Sequence, residues 1–159
     1  MYQVGVAKED ITAFVYGKGM MGYAVPTHVV TDVETPIQVR AFVIRHKNTG
    51  KTVALVNAEI CFYTIAVKDA VVKKLQANYP QMGYTNANVL LSAQHTHSAP
   101  GGYSHYVLYN VAIPGFQPKV FDTIVNQTVN AIVKATQNLQ DAQLFYQTGA
   151  FDPQVPVAF

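Results

Sequence analysis

Carboxylates and cysteines are scarce in this sequence of 159 residues. Charged residues make up 13% of the chain, and only three of them are Glu. Half of the residues are hydrophobic, which excludes a disordered tail and a soluble coiled coil. The one cysteine, Cys61, excludes an internal disulfide and a cysteine-rich zinc knuckle. Polar chemistry in such a chain must come mainly from His, Tyr, Ser and Asn.

Long apolar runs and a strong charge of one sign are also absent. No run reaches the roughly 18 apolar residues of a membrane span, and the N-terminus lacks a basic-then-apolar leader, so we expect no signal peptide in this chain. Eleven Lys and Arg against nine Asp and Glu give a net charge of +2, scattered along the chain. This bias is too weak for a surface that follows phosphates, so nucleic acid is not an expected partner.

The apolar residues alternate between strand and helix patterns. They predict strands at residues 38–46, 52–57, 88–92 and 143–148, and helices at 65–79 and 120–139. We expect the first two strands to form a hairpin, the second of them to be buried on both faces, and the third to be central. Interleaved strands and helices predict an α/β fold, a mixed β-sheet covered by helices, in a single domain over residues 1–159.

Two long segments lie outside this pattern. Residues 14–35 and 99–118 are rich in Gly, Pro, Tyr and Met. Loops of this length inside a compact domain are usually functional, because an ordered domain otherwise favours short connections. We therefore expect these Gly- and Tyr-rich loops to lie at the site.

The most informative motif is His95-Thr96-His97, which follows the strand predicted at 88–92. In an extended chain, side-chain alternation places both imidazoles on one face and Thr96 on the other. Two neutral imidazoles can bind one metal ion, although paired histidines also occur as structural residues. Their place at the carboxyl end of a strand, just before two glycines, favours a site.

Four segments, this motif among them, are spread along almost the whole chain: VGVA at 4–7, MMGYA at 20–24, VNAE at 56–59, and HTHS with PGGYSHY within 88–110. Together these segments resemble the N-terminal part of the neutral, non-lysosomal ceramidases. The resemblance implies a zinc-dependent amidohydrolase that cleaves the amide of ceramide to sphingosine and a fatty acid. It also implies a secreted or cell-surface protein.

The resemblance also assigns roles to individual residues. It implies that His95 binds zinc and that His97 is the catalytic residue beside the metal. The segments that would contact the substrate contain Gly22, Tyr23, Gly101, Gly102 and Tyr103. In the family the other metal ligands, a His, a Glu and a Tyr, come later than this sequence extends. The chain therefore resembles a fragment of the catalytic domain, which we expect to be inactive alone.

Several alternatives stay open on the sequence alone. The chain could instead be a non-catalytic metal- or lipid-binding module that retains the fold. Besides ceramide, candidate partners are a membrane surface, a second copy of the chain, and the remainder of the catalytic domain. If the chain is a fragment, the second copy or the remainder of the domain would cover apolar surface that the fragment leaves exposed. Glu59 either supports the metal site from outside or caps the following helix, and His105 favours a structural role over a place in the cleft.

Overall fold

The computed structural model describes residues 1–113, 115–150 and 152 of the chain. It contains five strands, two α-helices and two short 3₁₀ helices in that part. The strands are β1 Tyr2–Asp10, β2 Gln38–His46, β3 Thr52–Ala58, β4 Val89–Ala93 and β5 Gln140–Ala142; the α-helices are α1 Ile65–Asn78 and α2 Pro118–Gln137; the 3₁₀ helices are Pro80–Met82 and Val107–Asn110.

The strands form one mixed sheet in the order β4-β3-β2-β1-β5. β3 and β4 are parallel and are connected through α1, whereas the other neighbouring pairs are antiparallel. The predicted hairpin is present as β2 and β3, and the predicted α/β class is confirmed. None of the helices in the described ranges has the length and apolar content that a transmembrane span requires.

Both α-helices pack on one face of the sheet. Alternate strand residues such as Val43 and Val56 are buried there in one cluster with Val71 of α1 and Ile132 of α2. α1 begins after Thr64, whose side-chain oxygen accepts a hydrogen bond from the backbone N–H of Val67 at 3.2 Å. This N-cap and the regular apolar spacing explain why the sequence predicts the helix so closely.

Several details differ from the sequence-based expectation. The last strand is β5 at Gln140–Ala142, and residues 143–148 form no strand. β3 is not buried on both faces, because Leu55 is 39% exposed on the side away from the helices. Within the described ranges β4 pairs with β3 alone, so it is an edge strand rather than a central one. No strand is predicted at β1, although it pairs with both β2 and β5.

Candidate functional site

The two histidines lie just beyond the carboxyl end of β4. The chain continues alongside β3, since the backbone N–H of Gln94 donates to the Ala58 carbonyl at 3.0 Å and that of His95 donates to the Ile60 carbonyl at 3.1 Å. His95 then adopts a left-handed backbone with φ 64°. The expected extended path through the motif is therefore wrong. The rings still meet, because the His95 and His97 centroids are 4.9 Å apart in an edge-on arrangement.

The His95 ring is oriented by the backbone of Cys61. Its Nδ1 atom lies 2.9 Å from the Cys61 carbonyl oxygen. A carbonyl can only accept a hydrogen bond, so Nδ1 carries the proton and Nε2 keeps its lone pair. A histidine fixed in this way is prepared to bind a metal through the other nitrogen.

The His97 ring packs against the segment that contains Gly22 and Tyr23. The Tyr23 ring contacts it edge-on at a centroid distance of 4.3 Å. A Cβ atom on Gly22 would collide with the His97 ring, and Gly22 has a φ of 133° that side-chain-bearing residues rarely adopt. The Nε2 atom of His97 is buried and has no hydrogen-bond partner in the part of the chain that the structure describes. A buried nitrogen without a partner is uncommon in proteins and is often found at functional sites.

Pairing between the two long loops holds Gly22 and Tyr23 in place. Met20 bridges to Pro100 in antiparallel fashion. On either side of that bridge, the Met21 N–H donates to the Ala99 carbonyl at 3.1 Å and the Gly101 N–H donates to the Gly19 carbonyl at 2.9 Å. The loops that the sequence marks as irregular are thus ordered against each other beside the histidines.

Cys61, His95 and His97 form a cluster of metal-binding donors. One donor atom from each lies within 4.8 Å of the others, and no further cluster of three or more His, Cys, Asp or Glu side chains is found among the described residues. Imidazole and thiolate are the ligands that zinc prefers in proteins, so the donor types fit that metal. Burial raises the pKa of the Cys61 thiol, which keeps it neutral when no metal is near.

Glu59 lies outside this cluster. Its carboxylate accepts hydrogen bonds from the Arg40 guanidinium at 2.7 Å and from the Gln38 N–H at 2.7 Å. Thr64 rather than Glu59 caps α1. The cap role considered for Glu59 is therefore wrong, and its carboxylate forms an ion pair with Arg40 at the start of β2.

An apolar cavity of about 650 Å³ opens beside the donor cluster. Cys61, His95 and His97 form part of its wall, together with residues of both long loops and Phe62 from the segment between β3 and α1. These other lining residues are Met20, Met21, Gly22, Ala24, Phe62, Leu108, Tyr109, Val111, Ala112 and Ile113. Such a cavity suits an alkyl chain, because its lining offers few polar partners besides the imidazoles.

The sequence motif identifies the histidines but not Cys61 or the wall around Leu108 and Val111. One signal could have indicated Cys61. It follows β3 by three residues, and the carboxyl ends of the adjacent parallel strands β3 and β4 meet at the same sheet edge.

Thr96 lies on a different cavity from the two histidines. It lines a second, more polar cavity of about 770 Å³, with Ser98, His28 and Glu59 among its other lining residues. The loop that carries the motif therefore separates an apolar cavity from a polar one.

The expected substrate residues occupy different environments. Gly22 lines the apolar cavity, and Tyr23 is 63% exposed beside His97. Gly101 and Gly102 are buried and do not line that cavity. Tyr103 is fully buried, and its hydroxyl donates to the Phe62 carbonyl at 2.9 Å, so the structure gives it a packing role.

His105 also lies away from the donor cluster. Its ring packs against Phe116 at a centroid distance of 4.7 Å and against Phe121 at 5.1 Å. These contacts agree with the structural role that the sequence favours.

Comparisons with known proteins give a consistent result. Residues 2–153 match the family model described as "Neutral/alkaline non-lysosomal ceramidase, N-terminal". The neutral ceramidase of Pseudomonas aeruginosa is 40% identical over 148 residues, which is 93% of this chain and 22% of that protein. Neutral ceramidase B of Dictyostelium discoideum is 43% identical over 148 residues, 93% of this chain and 20% of its own length.

A solved structure shares the fold. The crystal structure of neutral ceramidase from Pseudomonas aeruginosa superposes with a TM-score of 0.84 at 40% identity, covering 87% of this chain and 22% of that one. The chain thus spans about a fifth of the length of the curated relatives that it matches.

Proposed function

Because this chain belongs to the neutral/alkaline non-lysosomal ceramidase family and matches its N-terminal part, we propose that it contributes to a zinc-dependent enzyme that cleaves ceramide. The reaction is hydrolysis of the amide of N-acylsphingosine to sphingosine and a fatty acid. The observation that carries this proposal is the meeting of two imidazoles at the wall of an apolar cavity. A lipid amide requires both features, a polar reaction centre and an apolar space beside it.

His95 is the residue that would hold the metal. Its Nδ1–H donates a hydrogen bond to the Cys61 carbonyl, which leaves the Nε2 lone pair for zinc. When bound, zinc acts as a Lewis acid that polarises a carbonyl group and lowers the pKa of water. Cys61 contributes its backbone carbonyl, which fixes the orientation of the ligand.

His97 would act on the substrate rather than hold the metal. Its buried, unpartnered Nε2 would donate a hydrogen bond to the amide oxygen and stabilise negative charge that develops there. Gly22 leaves room for the ring, and Tyr23 holds its orientation from the exposed side. The aliphatic wall around Leu108 and Val111 would exclude water from the alkyl part of the substrate.

The proposed zinc site needs further ligands. Catalytic zinc sites use three protein ligands, and of the three clustered donors the family resemblance matches only His95 to a zinc ligand. The longer protein would supply the others, so we expect chain 1–159 to lack ceramidase activity. A secreted or cell-surface location and contact with a membrane surface belong to the same proposal, and they are supported by the family resemblance.

The proposal is tested by ceramide hydrolysis in the complete protein. N-acylsphingosine presented in mixed micelles should release sphingosine, a chelator should abolish the release, and added zinc should restore it. Chain 1–159 assayed in parallel should release none. Zinc binding without any hydrolysis by the complete protein would contradict the enzyme proposal and favour a non-catalytic metal- or lipid-binding module.

A further inference from the structure

The face of the sheet opposite the helices carries an apolar row that nothing in the described ranges covers. Val6 is paired with Phe42, Phe42 with Leu55, and Leu55 with Leu90, so the four side chains form one line across β1, β2, β3 and β4. They are 50%, 45%, 39% and 49% exposed, respectively. We call these four residues the open-face row.

The surroundings of the open-face row resemble an interface. On one side lies a second line of half-buried apolar residues, Val4, Ile44 and Val53. On the other side lies a polar line, Lys8, Arg40, Asn57 and Ser92, in which the Asn57 amide donates to the Ser92 hydroxyl at 3.2 Å. An apolar centre with a polar rim is the usual composition of a surface that is buried by a partner.

The two faces of the sheet are covered unequally. Here one face has α1 and α2, whereas Leu55 and Leu90 lie uncovered on the other. Exposed apolar patches of this kind mark contact sites in soluble proteins.

We infer that the open-face row is the docking surface for the part of the same polypeptide that lies outside this chain. This inference rests on the proposed function, in which the chain is the N-terminal part of a longer catalytic protein. The matched region makes up only 22% of the Pseudomonas aeruginosa relative, so most of such a protein lies outside it and has the length to cover a sheet face. The occupant presents an apolar face to the row and polar groups to Lys8 and Arg40.

The open-face row also lies near the donor cluster along the chain. Its polar rim ends at Ser92, three residues before His95. A segment docked on the row therefore borders β4, the strand that leads into the two histidines.

Thiol labelling of the complete protein tests the inference. Leu55→Cys and Leu90→Cys each place a small thiol within the row, and Lys73→Cys on the outer face of α1 is the matched exposed control. The unsubstituted protein reports the background from buried Cys61. We expect maleimide to react at least about a hundredfold more slowly with both row variants than with the same variants in denaturant, whereas Lys73→Cys changes less than about tenfold.

Each outcome decides for or against the docking. Row thiols that react as fast as Lys73→Cys would overturn it, because the face would then be open to solvent. Protection that disappears on dilution would also overturn it, since a second copy would then be the occupant. A translated product that ends at residue 159 would leave no segment to dock. The labelling rate does not depend on whether the protein hydrolyses ceramide. Ceramide hydrolysis is therefore measured on the same samples as a separate test of the proposed function.

Discussion

At the scale of single residues, the site depends on an uncommon backbone at His95. Its φ of 64° lies in the left-handed region, which histidine enters more readily than most residues. Hydrogen bonds from its backbone N–H to Ile60 and from its Nδ1 to Cys61 hold this conformation. Strain of this kind is common at functional sites, where it orients a side chain that a regular strand would misplace.

The sequence predicts that the His95 and His97 side chains lie together, but the structure brings them together in a different way. Alternation in an extended strand gives the correct pair, whereas the structure joins the rings by a turn at His95 and by the packing of Gly22 and Tyr23. The motif is informative because both residues are local. The contact with residues 22–23 depends on a pairing between distant loops, which has no local signal.

Replacing Gly22 with Ala should disable His97 selectively. A Cβ atom at this position collides with the His97 ring, so the ring must move. We expect Gly22→Ala to lower ceramide hydrolysis by the complete protein about 10²-fold or more, the scale of a lost hydrogen-bond donor, while bound zinc stays near the unsubstituted level. Gly17→Ala is the control, because Gly17 also has a positive φ but a Cβ atom there would meet nothing within 4 Å. Equal losses in both variants would show that backbone strain, not contact with His97, is responsible.

At the scale of elements, the packing of α2 on β1 requires a glycine. A Cβ on Gly5 would collide with the backbone carbonyl of Ala135, and the backbone of Asn138 is also close. Helix and strand can approach at this distance only because Gly5 has no side chain. The same close approach brings the end of α2 next to β5, which pairs with β1 from residue 140 onwards.

Gly5→Ala should therefore destabilise the chain. Backbone atoms cannot rotate away as a side chain can, so α2 must shift as a unit, and overpacking of this kind costs about 1–3 kcal/mol. The free energy of unfolding from urea titrations measures the effect. Gly149→Ala, which meets nothing within 4 Å, should change it by less than about 0.5 kcal/mol. Similar values for the two variants would contradict the close packing.

Elements with a strong local pattern were predictable, and those defined by pairing were not. α1 and the β2–β3 hairpin follow from apolar spacing and a turn, within a residue or two of their observed ends. The strand expected at 143–148 has an apolar, β-prone centre at Leu144, Phe145 and Tyr146, yet β1 pairs with residues 140–142, shortly after α2 ends. The edge position of β4 likewise depends on which strands meet, and the apolar composition of β4 alone indicates a central strand.

At the scale of the whole molecule, Tyr63 and Tyr103, which pack in or against the core, link stability to alkaline pH. Burial raises the pKa of Tyr63 and of Tyr103 well above the ordinary value, despite their hydrogen bonds to Thr128 and Phe62. Both hydroxyls therefore remain protonated in the native state while those of the unfolded chain ionise near pH 10. Their contribution to stability is fully present below that pH and is lost as the pH rises above it.

The free energy of unfolding should consequently fall above about pH 10, by about 1.4 kcal/mol per pH unit for each such tyrosine. Urea titrations at a series of alkaline pH values measure this slope. Tyr103→Phe should reduce the slope, whereas Tyr16→Phe, at a side chain that is 74% exposed, should leave it unchanged. An unaltered slope in Tyr103→Phe would show that this hydroxyl does not control the alkaline transition.

The central claim, that His95 holds the metal and His97 acts on the substrate, is tested most directly by zinc content. The measurement is the zinc bound per molecule of complete protein in the His95→Ala and His97→Ala variants, each purified in parallel with the unsubstituted protein. We predict that His95→Ala loses its zinc, whereas His97→Ala retains most of it although its ceramide hydrolysis falls about 10²–10³-fold. Zinc loss in His97→Ala as complete as in His95→Ala, or full zinc in His95→Ala, would contradict the assignment.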